Sequence, residues 1–162
     1  MKLRNKSKRF FPVFITVLAV VILTGLISRF YIQLLLIRGK SMEPAYHHLQ
    51  LVFINKHDRN YQREDVVLIR CDSIHQNIVK RIAACPGDSV VIRDEILFVN
   101  GNAEGTGFED VRFDYAGIAE EEILLKEKQY FVIGDNVSVS KDSRYSEIGI
   151  ISEKSICGKI VK

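Results

Sequence analysis

Hydrophobic and polar positions divide this chain into two unequal parts. From Phe10 to Ile27 no residue is charged, and Val, Ile, Leu and Phe dominate a run about as long as the ~20 residues that cross a bilayer. No polar face interrupts the run, as one would in a helix packed on a core. It ends in Gly25-Leu26-Ile27-Ser28-Arg29, without the small-residue cleavage site of a removed secretory signal. The pattern predicts a permanent transmembrane anchor over residues 10–29. Pro12 falls near its start, where a missing amide hydrogen costs little.

Beyond the anchor, short segments rich in branched and aromatic residues take over. Tyr31–Ile37 is apolar but interrupted, and predicts a strand or interfacial segment. Leu49–Asn55, Val66–Arg70, Asn77–Ala84, Ser89–Arg93, Ile96–Asn100, Tyr130–Ile133 and Ile156–Val161 predict strands. A hairpin turn is expected at Arg93-Asp94-Glu95 and another turn at Asn100-Gly101. Gly101 to Lys128 shows no strand period and predicts an acidic surface loop, with one helical turn at Ala119–Leu125. The fold class expected is mainly β: a single N-terminal transmembrane helix followed by a small, closed or partly closed β-barrel-like domain over residues 30–162.

Composition and charge narrow the picture. With 162 residues and 47% hydrophobic content the chain holds one span and one modest core, with little room for two soluble domains. The net charge of +3 comes from Lys2, Arg4, Lys6, Lys8 and Arg9; the remainder is net acidic, so no nucleic-acid partner is indicated. Those bases, with no acid among them, place residues 1–9 in the cytoplasm and everything after Arg29 outside. Cys71, Cys85 and Cys157 are an odd set, so at least one is unpaired within the chain. Cys85, beside Pro86, reads as packed rather than catalytic. His47, His48, His57 and His75 lack metal-ligand spacing and read as surface residues; no cofactor or metal is expected.

Three polar motifs carry candidate chemistry. Ser41 lies between Gly39 and Met42-Glu43-Pro44, where the backbone can turn sharply and expose a hydroxyl; alone, this is an ordinary turn. Lys80 lies in Ile78-Val79-Lys80-Arg81-Ile82-Ala83-Ala84, where alternation puts Ile78, Lys80 and Ile82 on one face and Val79, Arg81 and Ala83 on the other. A lysine turned inward loses hydration of its charged form, and its neutral amine can take a serine proton. The competing reading is an edge-strand lysine with its head in water. Gly134-Asp135-Asn136 with Ser138, Ser140, Asp142, Ser143 and Arg144 forms the third motif. Asp142 and Arg144 can pair there, and on an exposed turn such a pair contributes about 0 to 1 kcal/mol.

In this order, after an N-terminal anchor, the motifs resemble the type I signal peptidases, membrane-bound Ser-Lys proteases that remove signal peptides from exported proteins. The short separation of Ser41 from Lys80 is similar to the compact Gram-positive forms. The family's Ser-Met-x-Pro box falls on Ser41, Met42 and Pro44. Its Lys-Arg and Pro-Gly-Asp box falls on Lys80, Arg81, Pro86, Gly87 and Asp88. Its Gly-Asp-Asn and Ser-x-Asp-Ser-Arg box falls on Gly134, Asp135, Asn136, Ser140, Asp142, Ser143 and Arg144. The resemblance implies Ser41 as nucleophile, Lys80 as general base, Ser140 orienting the amine, and Asp142 and Arg144 holding the site together. It also implies substrate pairing along Ile78 and Val79, and a preference for Ala-x-Ala before the cleaved bond. The implied partners are preproteins with signal peptides and membrane lipid, with room for contact with export machinery. The implied location is the cell membrane, single-pass.

The chain departs from the family pattern in places. Gly39 stands where some members carry a serine hydroxyl; Ala45-Tyr46 replaces the usual Thr-Leu; Ala84 replaces a common glycine; and Val137 stands where an arginine often follows Gly-Asp-Asn. Two other classes compete. Self-cleaving Ser-Lys repressors need a DNA-binding region, and this chain begins with an apolar span. A non-catalytic or substrate-specialised assembly factor for surface proteins would not need both Ser41 and Lys80.

Overall fold

The computed structural model describes residues 7–103 and 107–161, the side chains of residues 7–11 and 26–30 excepted. Helix α1 covers Ser7–Tyr31, with Pro12 inside it. The basic cluster expected on the cytoplasmic side lies outside the described residues, in whole or in its side chains. The expected anchor also reaches into such residues at both ends. Among the described residues, no helix is long and apolar enough to cross a membrane.

The rest is mainly β. Strands β1 (Ile32–Leu36), β2 (Leu51–Asn55), β3 (Val66–Cys71) and β4 (Gln76–Ala84) lead to β5 (Ser89–Arg93), β6 (Ile96–Val99) and β7 (Ile123–Leu124). Then follow β8 (Gln129–Ile133), β9 (Ile151–Ser152) and β10 (Ile156–Ile160). A seven-stranded sheet runs β1-β2-β10-β3-β4-β8-β9, and a three-stranded sheet runs β6-β5-β7. All pairings are antiparallel. Each strand's pattern explains its place. In β2, Val52 and Ile54 are buried while Leu51 and Phe53 are exposed, the alternation of a strand covered on one face. In β3, Val66 to Ile69 are all buried, as a central strand covered on both faces requires.

The expected hairpin forms: Asp94 and Glu95 take φ of 50° and 64° between β5 and β6, the two left-handed positions that match strand twist. The expected helical turn at Ala119–Leu125 is instead a 3-10 turn at Gly117–Glu120 followed by β7. The Ile118 amide donates to the Arg144 carbonyl at 2.9 Å, so this segment is shaped by the loop it covers rather than by its own propensity.

The Pro-Gly-Asp box forms the corner that carries the chain from one sheet to the other. The Asp88 carboxylate accepts both Arg63 Nε (3.0 Å) and Nη2 (2.7 Å), the Cys85 amide (2.8 Å) and Asn100 Nδ2 (2.9 Å). Gly87 takes φ of 89°, open to glycine without strain.

Candidate active site

Ser41 lies in the loop from β1 to β2. The neck of the loop is closed by the Ile37 amide on the Gln50 carbonyl (2.9 Å) and the Leu49 amide on the Ile37 carbonyl (2.8 Å). Met42, 1% exposed, plugs into a core cluster that includes Ile37, Val52, Ile54 and Leu68. That plug holds its neighbour Ser41 half-buried at the edge of the core. Gly39 makes the turn at φ of 95°. The Ser41 carbonyl accepts the Asn136 amide at 3.0 Å, tying the first motif to the third. The Ser41 amide donates to none of the described residues.

Lys80 arrives from the middle of β4. Its Nζ lies 2.9 Å from Ser41 Oγ, and the residue is 3% exposed. Burial pushes its pKa down to about 8; the carboxylates of Asp142 and Asp135 oppose the fall, and the Arg144 cation adds to it. Arg81 takes the opposite fate on the other face of the strand. It forms a bidentate pair with Asp135 (2.7 and 2.6 Å) and donates to the Glu64 carbonyl at 2.8 Å. One pair of adjacent bases thus supplies a depressed amine and a structural cation.

The Asp142-Ser143-Arg144 end of the third motif is buried, contrary to the exposed turn expected from its polar composition. Asp142 and Arg144 are both 0% exposed. Arg144 Nε and Nη2 reach the two Asp142 oxygens at 2.8 and 3.0 Å. Nη2 also donates to the carbonyls of Val137 (2.9 Å) and Ser140 (3.2 Å), and Nη1 donates to that of Tyr115 (3.3 Å). Phe113 lies under the guanidinium, 5.4 Å from ring centre to Cζ. Asp142 also accepts the Gly134 amide at 3.1 Å, and Ser143 Oγ accepts the Val132 amide at 3.0 Å. Gly134 has no room for a side chain: a Cβ there would collide with Ser140 Oγ and the Ser41 carbonyl. Ser140 Oγ itself is buried without a hydrogen-bond partner, so no bond joins it to Lys80.

A groove of about 650 Å³ opens at Ser41 and Lys80, walled by Leu35 to Arg38 on one side and Gln76 to Val79 on the other, with Met42 and Leu68 also lining it. Ile78 and Val79, expected along the substrate path, thus line it together with Ser41 and Lys80. The cysteines stay out of the site: all three are free thiols, and burial pushes Cys85 up to about 11, away from thiolate chemistry. Among the described residues, no group of three or more His, Cys, Asp or Glu could hold a metal. Two residues of consequence escaped the sequence pattern. Arg63 locks the Pro-Gly-Asp corner across 25 positions, and no local signal marks it. His48 accepts the Gly39 amide on Nδ1 at 3.0 Å.

The profile of the family described as "Signal peptidase, peptidase S26" matches residues 8–162. The chain belongs to this signal peptidase family. Signal peptidase I of Bacillus licheniformis is 30% identical, over 97% of this chain and 89% of that one. Signal peptidase I S of Bacillus subtilis (strain 168) is 31% identical over 85% of this chain and 79% of its own. Among solved structures, a signal peptidase I from Enterococcus faecalis V583 superposes with a TM-score of 0.50 at 26% identity, covering 63% of this chain and 97% of that one. The chain is a serine endopeptidase with signal peptidase function, of a family that works through a Ser-Lys dyad.

Proposed function

We propose that Ser41 is the nucleophile and Lys80 the general base with which this chain cuts signal peptides from preproteins. The observation that carries this assignment is the 2.9 Å approach of Nζ to Oγ at a lysine taken out of water. The contact serves either proton position: a charged amine donates to Oγ, and a neutral one accepts from the hydroxyl. With a pKa of about 8, roughly a tenth of the molecules carry the neutral amine at pH 7. Oγ bonds to the scissile carbonyl carbon as its proton passes to Nζ. Collapse of the tetrahedral intermediate returns that proton to the leaving amine, and Lys80 then takes a proton from the water that releases the acyl group. The unengaged Ser41 amide donates to the oxyanion, a contact worth about 3 to 4 kcal/mol in the transition state. Gly39 keeps the approach to that oxyanion clear, and Met42 anchors the loop. Asp142 and Arg144 keep the loop beside the amine rigid, whereas the buried Ser140 hydroxyl makes no bond to Lys80 and lends the orienting role no support.

The topology supports a register for the substrate. Four antiparallel steps separate β1 from β4, so the two strands run parallel. On the edge away from β3, β4 is unpaired from Gln76 to Lys80 among the described residues, because β8 joins it only from Arg81. A peptide laid parallel to both strands adds backbone bonds along Ile78 and Val79 and reaches Ser41 at its C-terminal end. The limited apolar space around Ile37, Met42 and Leu68 suits small side chains, as in Ala-x-Ala.

The same reading makes α1 the single membrane anchor of 10–29, with residues 1–9 in the cytoplasm and 30–162 outside. Its described apolar side chains from Val13 to Leu23 are exposed rather than packed on the domain. The outer face of the sheet continues this apolar surface. Leu34 pairs with Phe53 and Leu36 with Leu51, all four exposed, and Val161 joins them through its bond to the Phe53 carbonyl. Such a patch marks lipid contact beside the helix. The assembly-factor reading is not favoured, since a binding surface does not need an amine held against a hydroxyl.

Reconstituted in vesicles, the chain is expected to cut an Ala-x-Ala preprotein, with kcat/KM falling as pH drops below about 8. Ser41→Ala, Lys80→Ala and Lys80→Arg should each abolish cutting while thermal melts show a folded domain. Full activity in Ser41→Ala would remove the nucleophile assignment.

A further inference from the structure

The loop carrying Ser41 contains a side-chain rung where a backbone rung would be expected. Extending the β1–β2 register of Leu36 opposite Leu51 places Ile37 opposite Gln50 and Gly39 opposite His48. At the first of these pairs the Ile37 amide finds the Gln50 carbonyl. At the second, the Gly39 amide meets not the His48 carbonyl but its imidazole, at 3.0 Å from Nδ1. The cause lies one residue further on. Leu49 takes φ of 63°, in the left-handed region that a branched side chain rarely occupies, and its own amide turns to the Ile37 carbonyl. The backbone at His48 leaves the ladder, and the side chain fills the vacated acceptor position.

We infer that His48 is a positioning residue for the nucleophile: its Nδ1 lone pair holds the Gly39 amide and so fixes the backbone that delivers the Ser41 hydroxyl and amide. Between the neck and Ser41, the amides of Arg38 and Lys40 donate to none of the described residues, which leaves the Gly39 amide as the only anchored donor on this approach. Downstream the serine is held by Met42 in the core and by the Asn136 amide on its carbonyl. Upstream it is held by His48. The bond sets the tautomer: Nδ1 must carry the lone pair and Nε2 the hydrogen. Because the Ser41 amide is an oxyanion donor, a swing of the peptide planes at 39–41 loosens a contact made in the transition state. The loss therefore falls on kcat rather than on KM.

The inference rests on Ser41 being the nucleophile, and the test keeps the two apart. In the full chain in lipid nanodiscs, His48→Ala is expected to lower kcat roughly fivefold to tenfold, with KM nearly unchanged and the melting temperature preserved, as for the loss of one hydrogen bond. His48→Asn, whose Oδ1 can stand near the position of Nδ1, is expected to recover most of that loss. His47→Ala is expected to behave as the wild type. Long-range 1H–15N spectra should show His48 protonated on Nε2, and amide exchange at Gly39 should accelerate in His48→Ala and slow again in His48→Asn. A wild-type kcat in His48→Ala, an asparagine variant no better than alanine, or a hydrogen found on Nδ1 would each overturn the assignment. Cutting by Ser41→Ala would overturn the nucleophile reading and this catalytic role with it, whereas the exchange data report on the Gly39 clamp directly.

Discussion

At the scale of single residues, Lys80 stands out because its function and its stability effect have opposite signs. Its pKa is lowered from 10.5 to about 8, chiefly by burial. Holding the charged form in that place costs about 3 kcal/mol. Below pH 8 the lysine is charged in both folded and unfolded chains and the cost is present in full. Between 8 and 10.5 the unfolded chain binds the extra proton, so stability rises with pH; above 10.5 the effect is spent. Lys80→Met is therefore expected to stabilise the domain at pH 7 by up to about 3 kcal/mol and to flatten its pH dependence between 8 and 10.5. Urea unfolding of the two chains at pH 7 and pH 10 checks this, and a less stable variant would contradict the cost of burial. The lysine's position in an apolar strand was legible from Ile78, Ile82 and Ala84. Its partner Ser41 was named only through the family boxes and not by any local pattern, because Ser41 lies on a loop whose path depends on Met42 finding the core.

At the scale of elements, the loop after β8 is a folded unit built around one ion pair. Polar composition read it as exposed, since aspartate, serine and arginine between strands are usually wet. What reverses that reading is the segment from Phe113 to Gly117, which packs over the loop and donates nothing recognisable in sequence. Removing half of the pair should show the difference. Asp142→Asn leaves the Arg144 cation facing a neutral amide at a site with 0% exposure, and is expected to cost about 3 to 5 kcal/mol where an exposed pair would cost under 1. A thermal melt reads it directly. Strand boundaries were legible within a residue or two wherever the strand carried its own pattern, as in β3 and β5. The two-residue strands β7 and β9 have too few positions to show a period; β5 and β8 define them by pairing.

At the scale of the whole molecule, one sheet has a packed side and an exposed apolar side. Its inner faces build the core against which Ser41 and Lys80 are seated. Its outer face at β1 and β2 exposes Leu34, Leu36, Leu51 and Phe53 just past the end of α1. If that face meets lipid, Leu34→Asp with Phe53→Asp should slow cutting of a membrane-inserted preprotein several-fold. Cutting of a short soluble peptide should stay unchanged, since neither side chain faces the groove. Equal effects on both substrates would place the face outside membrane contact. Alternation, hydropathy and backbone turns are local properties of the chain, so the strand periods, the apolar N-terminal run and the three boxes are legible in the residues alone. The pairing of Lys80 with Ser41 was reached from the residues only through the family boxes; that Arg81 turns to Asp135, that Asp142 and Arg144 are dry, and that His48 substitutes for a backbone carbonyl were set by the fold. All but the last depend on which distant segment covers a residue, and such burial leaves no mark in the residues being buried; the last depends on the left-handed backbone at Leu49.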